Sequence, residues 1–304
     1  MPNNPHTPFR LDGLLDGYKD FRAPTNIDPL IINWKGKIGY GDIISPISYA
    51  ANMADKNRTD VLLRFHWKTS GPEKYKPEDK ETIQEWCDFV YNYLKKPTFY
   101  DLTIEHVYNS DLGYNHDNYH CPGDEMKWHN MRFGNYGMDY ENVIHENFKN
   151  ITMVTSIKHK QLLHEYDESK AWKDPLGRTP SGFAWPKVGA LIKKRGWNLK
   201  YVHYEDKLET VIKRMNMSCG VIGYHGAHMW VARMLGLPMV IFSQKELTER
   251  AFPWAIRFRY YSDFHPEDIE EYFRMSIEKR EEVISDYKYY LTTPNIHRLR
   301  QQRS

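Results

Sequence analysis

Residues Cys219 to Ser243 read Cys-Gly-Val-Ile-Gly-Tyr-His-Gly-Ala-His-Met-Trp-Val-Ala-Arg-Met-Leu-Gly-Leu-Pro-Met-Val-Ile-Phe-Ser, and no other stretch limits the fold as strongly. Cys219 to Ile222 is a short apolar run suited to a buried strand, and Gly223 is expected to let the backbone turn sharply out of it. A short helix of about ten residues then ends at Gly236, and Pro238 opens a second buried run, Met239 to Phe242. The pattern is a parallel β-α-β crossover. Its first turn directs unpaired N–H groups outward at a helix N-terminus, an arrangement suited to a phosphate.

The rest of the chain repeats that alternation. Pro29 to Trp34 reads as a strand and is followed by Gly36, Gly39 and Gly41 in a glycine-rich turn. Ile43 to Lys56 has helical spacing, with Pro46 placed in its first turn. Asp60 to His66 is a strand, Pro77 to Lys96 a charged amphipathic helix, and Thr98 to Val107 a more polar strand. From Asn109 to Asn142 the periodicity stops in a segment rich in His, Asn, Tyr and Gly. It resumes with a strand at Lys149 to Ser156, a helix from Trp185 to Arg195 closed by Gly196, and a strand at Asn198 to Tyr204. A helix from Asp206 to Met215 leads into the Cys219 stretch. Thr248 to Arg259 gives no clear assignment, and Pro266 to Leu291 is helical with an acidic start.

Strand–helix alternation interrupted once in this way predicts an α/β chain of two doubly wound, Rossmann-like domains facing a cleft. The expected parts are an N-terminal arm over 1–27, an α/β domain over 28–147, a second over 148–265, and a helix with a basic tail over 266–304. A length of 304 residues supports that division.

Charge and cysteine content exclude several classes. A net charge of +2 does not mark a nucleic-acid binder. Cys87, Cys121 and Cys219 are odd in number and widely spaced, which argues against a disulfide framework and for a reducing compartment. The first residues show no signal pattern and no apolar run reaches the ~18 residues of a membrane span, so a cytoplasmic protein is expected.

Three segments, Gly39-Tyr-Gly-Asp-Ile-Ile44, Phe183-Ala-Trp-Pro-Lys187 and the Cys219 stretch, together resemble the GT-B glycosyltransferases, and among them the heptosyltransferase-like family. The first resembles the family's N-terminal glycine–aspartate loop, whose Asp is the catalytic base. The second resembles its Trp-Pro segment near the start of the donor-binding domain. In the third, the family's Asp, Gly and His positions fall on His225, Ala227 and Trp230, while Ala232 and Leu235-Gly236-Leu237-Pro238 keep the pattern. The resemblance covers roughly residues 29–55 and 150–243.

It implies transfer of a sugar from a nucleotide-sugar donor to an acceptor hydroxyl with inversion at the sugar carbon. No acidic DxD pair stands in a suitable donor loop, which argues against obligatory metal help, and no other cofactor is expected. Asp42 is the candidate general base, and a helix N-cap role for it stays open from position alone. For the donor, the backbone N–H groups of Gly226, Ala227 and His228 would meet the diphosphate, flanked by Gly41, Tyr224 and the imidazoles of His225 and His228. Lys158 and Arg178 are further phosphate candidates, as is Lys160, and Glu205 after a strand is placed for a ribose.

His66, Tyr114, His116 and Trp128 are assigned to the acceptor. His116, His120, Cys121, Asp124 and His129 are metal-ligand types, but their spacing matches no standard set, so no metal is assigned. A saccharide is the expected acceptor. A hydroxymethylated nucleic-acid base is the alternative, and the replacements at His225, Ala227 and Trp230 leave open an inactive nucleotide-sugar or glycan binding module.

Overall fold

In the structure, a computed structural model, every hydrogen-bonded strand pair among the described residues is parallel. It describes residues 28–35, 40–57, 59–67, 79–93, 100–108, 149–155, 185–203, 205–244 and 246–292. Parallel strands need crossovers, and the chain supplies helices for them.

In one unit, β1 (Leu30–Lys35), α1 (Tyr40–Asn57), β2 (Val61–Trp67), α2 (Asp79–Tyr93) and β3 (Leu102–Tyr108) form a sheet of order β1-β2-β3. Residues alternate along β2: Val61, Leu63, Phe65 and Trp67 are buried, while Leu62, Arg64 and His66 are half-buried. Trp34 meets Phe65 and Trp67 edge-on at 5.2 and 5.8 Å, and Phe65 stacks on Trp67 at 5.3 Å. Trp67 Nε1 donates to His106 Nδ1 at 2.9 Å, which places the neutral ring's own proton on Nε2.

Helix α1 begins at Tyr40, three residues earlier than its apolar spacing suggested. Gly41 and Asp42 therefore belong to its first turn, and Asp42 is not the N-cap. Pro46 accordingly lies inside the helix. Lacking an N–H, it cannot bond the carbonyl of Asp42 four residues back.

The other unit holds β4 (Asn150–Val154), α3 (Trp185–Lys194), β5 (Asn198–Val202), α4 (Leu208–Asn216), β6 (Gly220–Tyr224), α5 (Ala227–Met234), β7 (Met239–Phe242), α6 (Leu247–Ala251) and β8 (Ile256–Phe258). Two 3-10 turns lead to α7 (Ile269–Thr292), which belongs to this unit through Val283 and to the first unit from Ile284. Strand β8 lies in the region without a sequence assignment; three residues are too few to show a period.

The five strands lie in the order β5-β4-β6-β7-β8. Numbered within the unit this is 2-1-3-4-5, a doubly wound order whose direction reverses between β4 and β6. Helices cover both faces. On one, Trp185 of α3 meets Tyr224 at 6.0 Å and Phe273 of α7 lies over Gly220. On the other, Thr152 Oγ1 donates to the Arg214 carbonyl of α4, and Met229 of α5 lies over Gly223.

Gly223 was expected to make a turn, but it lies within β6. Its role is space: a Cβ there would stand 2.5 Å from Met229 Sδ and 2.9 Å from Val154 Cβ. The turn after α5 is where glycine conformation is needed. Gly236 has φ +71, its N–H bonds the Arg233 carbonyl, and the Leu237 N–H reaches Ala232. Among the described residues no helix is long and apolar enough to cross a membrane.

The close packing of β6 gives a stability test. At Gly220 a Cβ would stand 2.4–2.5 Å from three Phe273 ring atoms, so Gly220→Ala should lower unfolding free energy by about 1–3 kcal/mol in urea melts. Adding Phe273→Leu should recover part of that loss.

Candidate functional site

Buried strands of the five-stranded sheet give way at their C-terminal ends to polar residues. Thr155 follows β4, His203 follows β5, His225 follows β6 and Ser243 follows β7. Carboxyl ends of parallel strands at a reversal of order are where open α/β sheets bind ligands. Here that reversal lies between β4 and β6, so the turn from β6 into α5 stands beside it.

That turn is well defined. Gly226 is the N-cap of α5, with φ −142 and ψ 172, a conformation open to any residue. Glycine is needed there because a Cβ would meet the Tyr224 ring at 2.7 Å. The N-cap makes no side-chain capping bond. By α-helix geometry the first N–H groups, those of Ala227 and His228, point out of the helix end, whereas the Met229 N–H turns back to the Gly226 carbonyl at 3.1 Å.

His225 is half-buried and fixed from two sides. Its Nδ1 lies 2.8 Å from Thr248 Oγ1 on α6, and its ring stands edge-on to Phe252 at 5.2 Å. Thr248 Oγ1 in turn donates to Ser243 Oγ at 2.8 Å. Arg257 on β8 donates from Nε to the Ser243 carbonyl at 2.9 Å and from Nη1 to Glu249 at 2.6 Å. Its side chain is 7% exposed, and Nη2 is buried without a hydrogen-bond partner among the described residues.

The β4 and β5 ends are tied together. Thr155 Oγ1 and His203 Nδ1 are 3.0 Å apart. The His203 N–H donates to Asp206, which also receives Arg214 Nη1 at 2.6 Å, and Arg214 Nη1 donates to the Tyr201 carbonyl as well. Asp206 thus holds the turn before α4, a helix that starts two residues later than its spacing implied.

His228 differs from the expectation of a possible charged donor. It is 6% exposed on α5, and burial foremost pushes its imidazole down to about 4. Asp206 opposes that shift, and His203 adds to it. His228 is therefore neutral near pH 7 and contributes its backbone N–H rather than a positive charge. Tyr224 is 8% exposed, with its ring turned toward Trp185 and over Gly226, so it acts as the floor of the turn. Trp230, at the family's His position, is buried against Phe252 at 4.8 Å and lies 5.4 Å from the Arg233 guanidinium.

The remaining candidates separate. Glu205 is exposed in the turn after β5, next to Asp206. In the three-stranded sheet, His66 lies near the C-terminal end of β2, half-buried, with Nε2 2.8 Å from Asn33 Oδ1. Gly41 and Asp42 stand in the first turn of α1. Lys158, Lys160, Arg178, Tyr114, His116, Trp128 and the 109–142 segment lie outside the described residues. Burial pushes the thiols of Cys87 and Cys219 up to about 12, which makes both unreactive near neutrality. Among the described residues no group of three or more His, Cys, Asp or Glu side chains is placed to hold a metal ion.

Thr155, Ser243, Thr248 and Arg257 were not singled out from sequence. Thr155 and Ser243 carry a readable signal, since each is the first polar residue after a buried run. Thr248 and Arg257 carry none, because only sheet order brings α6 and β8 to this corner.

No model of a known protein family matches the chain, and no curated protein matches it in sequence. Two solved structures are similar in chain course. One is a dodecameric iron-containing heptosyltransferase, TibC, in complex with ADP-D-beta-D-heptose: 14% identity, TM-score 0.41, covering 87% of this chain and 77% of that one. The other is a bacterial iron-containing dodecameric glycosyltransferase, TibC from enterotoxigenic E. coli H10407: 12% identity, TM-score 0.38, with coverage again of 87% and 77%. Likeness at these scores carries no functional argument.

Burial of His228 has a consequence for stability. The unfolded imidazole titrates at 6.5 and the folded one at about 4, so the unfolded chain binds the extra proton first. Stability should be full above pH 6.5 and fall as pH drops from 6.5 toward 4, by up to roughly 3 kcal/mol. Urea melts across that range should show the loss in the native chain and a flatter profile in His228→Gln.

Proposed function

We propose that this protein is a glycosyltransferase that moves a sugar from a nucleotide-sugar donor to an acceptor hydroxyl. The observation that supports it best is the β6–α5 turn. A helix N-terminus without a side-chain cap stands beside the order reversal of a 2-1-3-4-5 parallel sheet, with an imidazole fixed before it. Such a turn suits the diphosphate of the donor.

In this reading the Ala227 and His228 N–H groups receive the diphosphate oxygens, and the dipole of α5 stabilises the charge that grows as the nucleotide departs. His225 contributes a side-chain donor when protonated. Asp42 takes the proton from the acceptor hydroxyl. The freed oxygen attacks the anomeric carbon as its bond to the diphosphate breaks, and the nucleoside diphosphate leaves with the electron pair. A single displacement of this kind inverts the sugar carbon. The motif resemblance around Gly39–Ile44 supports Asp42 in this role, and its place in the first turn of α1 is compatible with a carboxylate. Backbone donors and imidazole serve the leaving group, so the proposed reaction does not depend on a metal. The acceptor is proposed to be a saccharide, with His66 among its contacts.

Thermal unfolding with a panel of nucleotide-sugars tests the donor. A ligand at ~100 times its dissociation constant should add ~2.7 kcal/mol. No shift and no donor hydrolysis across the panel would end the enzyme reading. With a donor identified, Asp42→Asn should keep its binding and lose transfer by ~10²-fold to 10⁴-fold. Undiminished transfer would remove Asp42 as the base.

A further inference from the structure

Strand β5 ends the five-stranded sheet among the described residues, and an end strand turns one row of backbone groups away from its neighbour. The hydrogen bonds to β4 decide which row. The Asn198 N–H donates to the Lys149 carbonyl, and the Val202 carbonyl accepts the Thr155 N–H, so Asn198 and Val202 face inward. Lys200 is in phase with them. By alternation Leu199, Tyr201 and His203 turn their N–H and C=O groups outward.

Side chains from α4 and the turn before it occupy the far half of that outward row. Arg214 Nη1 donates to the Tyr201 carbonyl at 2.6 Å and to Asp206 Oδ2 at 2.6 Å. Asp206 Oδ2 also accepts the His203 N–H at 2.9 Å, and the Asp206 N–H bonds the His203 carbonyl at 3.0 Å. Helix α4 itself lies on a face of the sheet, where Thr152 bonds the Arg214 carbonyl, yet the guanidinium comes round to the edge. The Asp206–Arg214 pair therefore stands where the backbone of a further strand would lie. Among the described residues, the part of the row left open is Leu199 and the Tyr201 N–H.

The pair closes the edge most effectively against a second copy of the same strand, because antiparallel two-fold pairing is self-complementary. Two registers use these residues. Centred on residue 200, each Leu199 N–H needs the Tyr201 carbonyl of the other copy, which Arg214 holds. The two exposed Lys200 side chains then also stand directly opposite, in the closely spaced kind of pair where like charges destabilise. Lys193, whose Nζ lies 5.3 Å from the Tyr201 ring, adds charge of the same sign. Centred on Tyr201, the strands would bond through both Tyr201 carbonyls and through His203, whose backbone is tied to Asp206. Arg214 thus blocks both registers, and Lys200 opposes the one that would use Leu199 and Tyr201 fully.

We propose that the outer edge of β5 is a latent self-association surface for a second copy of this chain, held shut by Arg214 and Asp206 on the backbone and by Lys200 through charge. The proposal does not depend on the reading of the β6–α5 turn.

Amide hydrogen exchange of the full-length chain, measured over a range of protein concentrations, tests it. In the native chain the Leu199 and Tyr201 amides should exchange at rates independent of concentration. Arg214→Met combined with Lys200→Thr frees the Tyr201 carbonyl and removes the facing charges. Protection of those two amides should then rise roughly tenfold for a hundredfold rise in concentration, the square-root dependence of a dimer. Lys200→Thr alone should behave as the native chain, because Arg214 still holds the carbonyl. If the double variant does not fold, Asp206→Asn with Lys200→Thr serves in its place. The Asn amide still accepts the His203 N–H but no longer fixes Arg214 by charge, so a smaller rise is expected.

Concentration-dependent protection of Leu199 and Tyr201 in the native chain overturns the closure. Protection in the folded variants that stays constant with concentration overturns the surface. Association that leaves both amides unprotected puts the contact elsewhere and overturns it equally.

Discussion

A parallel sheet leaves neither face to water, and the central strand β6 meets that demand with a glycine on each side. Gly220 lets the Phe273 ring of α7 lie against one face, and Gly223 lets Met229 of α5 lie against the other. Neither glycine needs an unusual backbone angle. Each is there because a helix side chain occupies the volume where a Cβ would stand. The approach of α5 fixes where its N-terminus begins, and so where Ala227 and His228 present their N–H groups.

The chemistry of the site follows from the same packing. Strands buried on both faces carry apolar residues to their ends, and polarity appears only where the strands stop. Thr155, His203, His225 and Ser243 occupy those positions and bond to one another or to the next helix. Burial that serves the core also sets charge: His228, in the first turn of α5, is held neutral near pH 7, so its side chain brings no positive charge to the turn. Trp230, where the resembling family has His, is absorbed into packing with Phe252 and Arg233. The backbone of the turn is thus suited to a phosphate while its side chains differ from the family pattern.

Much of the second sheet was legible in the residues. Apolar runs bounded by polar ones marked β4, β5, β6 and β7, and Gly196 and Gly236 marked helix ends, both with positive φ. The misreadings have specific causes. Gly223 looked like a turn because glycine in a short apolar run serves either conformation or space, and only the position of Met229 decides which. Glycine soon after a strand reads as loop, yet Gly41 falls within α1 together with Tyr40. The relay from His225 through Thr248 to Ser243 was invisible because its members lie on separate elements whose adjacency depends on strand order. Conversely, the neutrality of His228 could not be read from its type, since burial foremost produces it.

The central claim is that the turn between β6 and α5 holds the diphosphate of a nucleotide-sugar. An experimental structure with a nucleoside diphosphate bound tests it most directly. The account predicts phosphate oxygens within hydrogen-bond distance of the Ala227 and His228 N–H groups, with His225 beside them. A diphosphate bound elsewhere on the chain, with this turn empty, would contradict it.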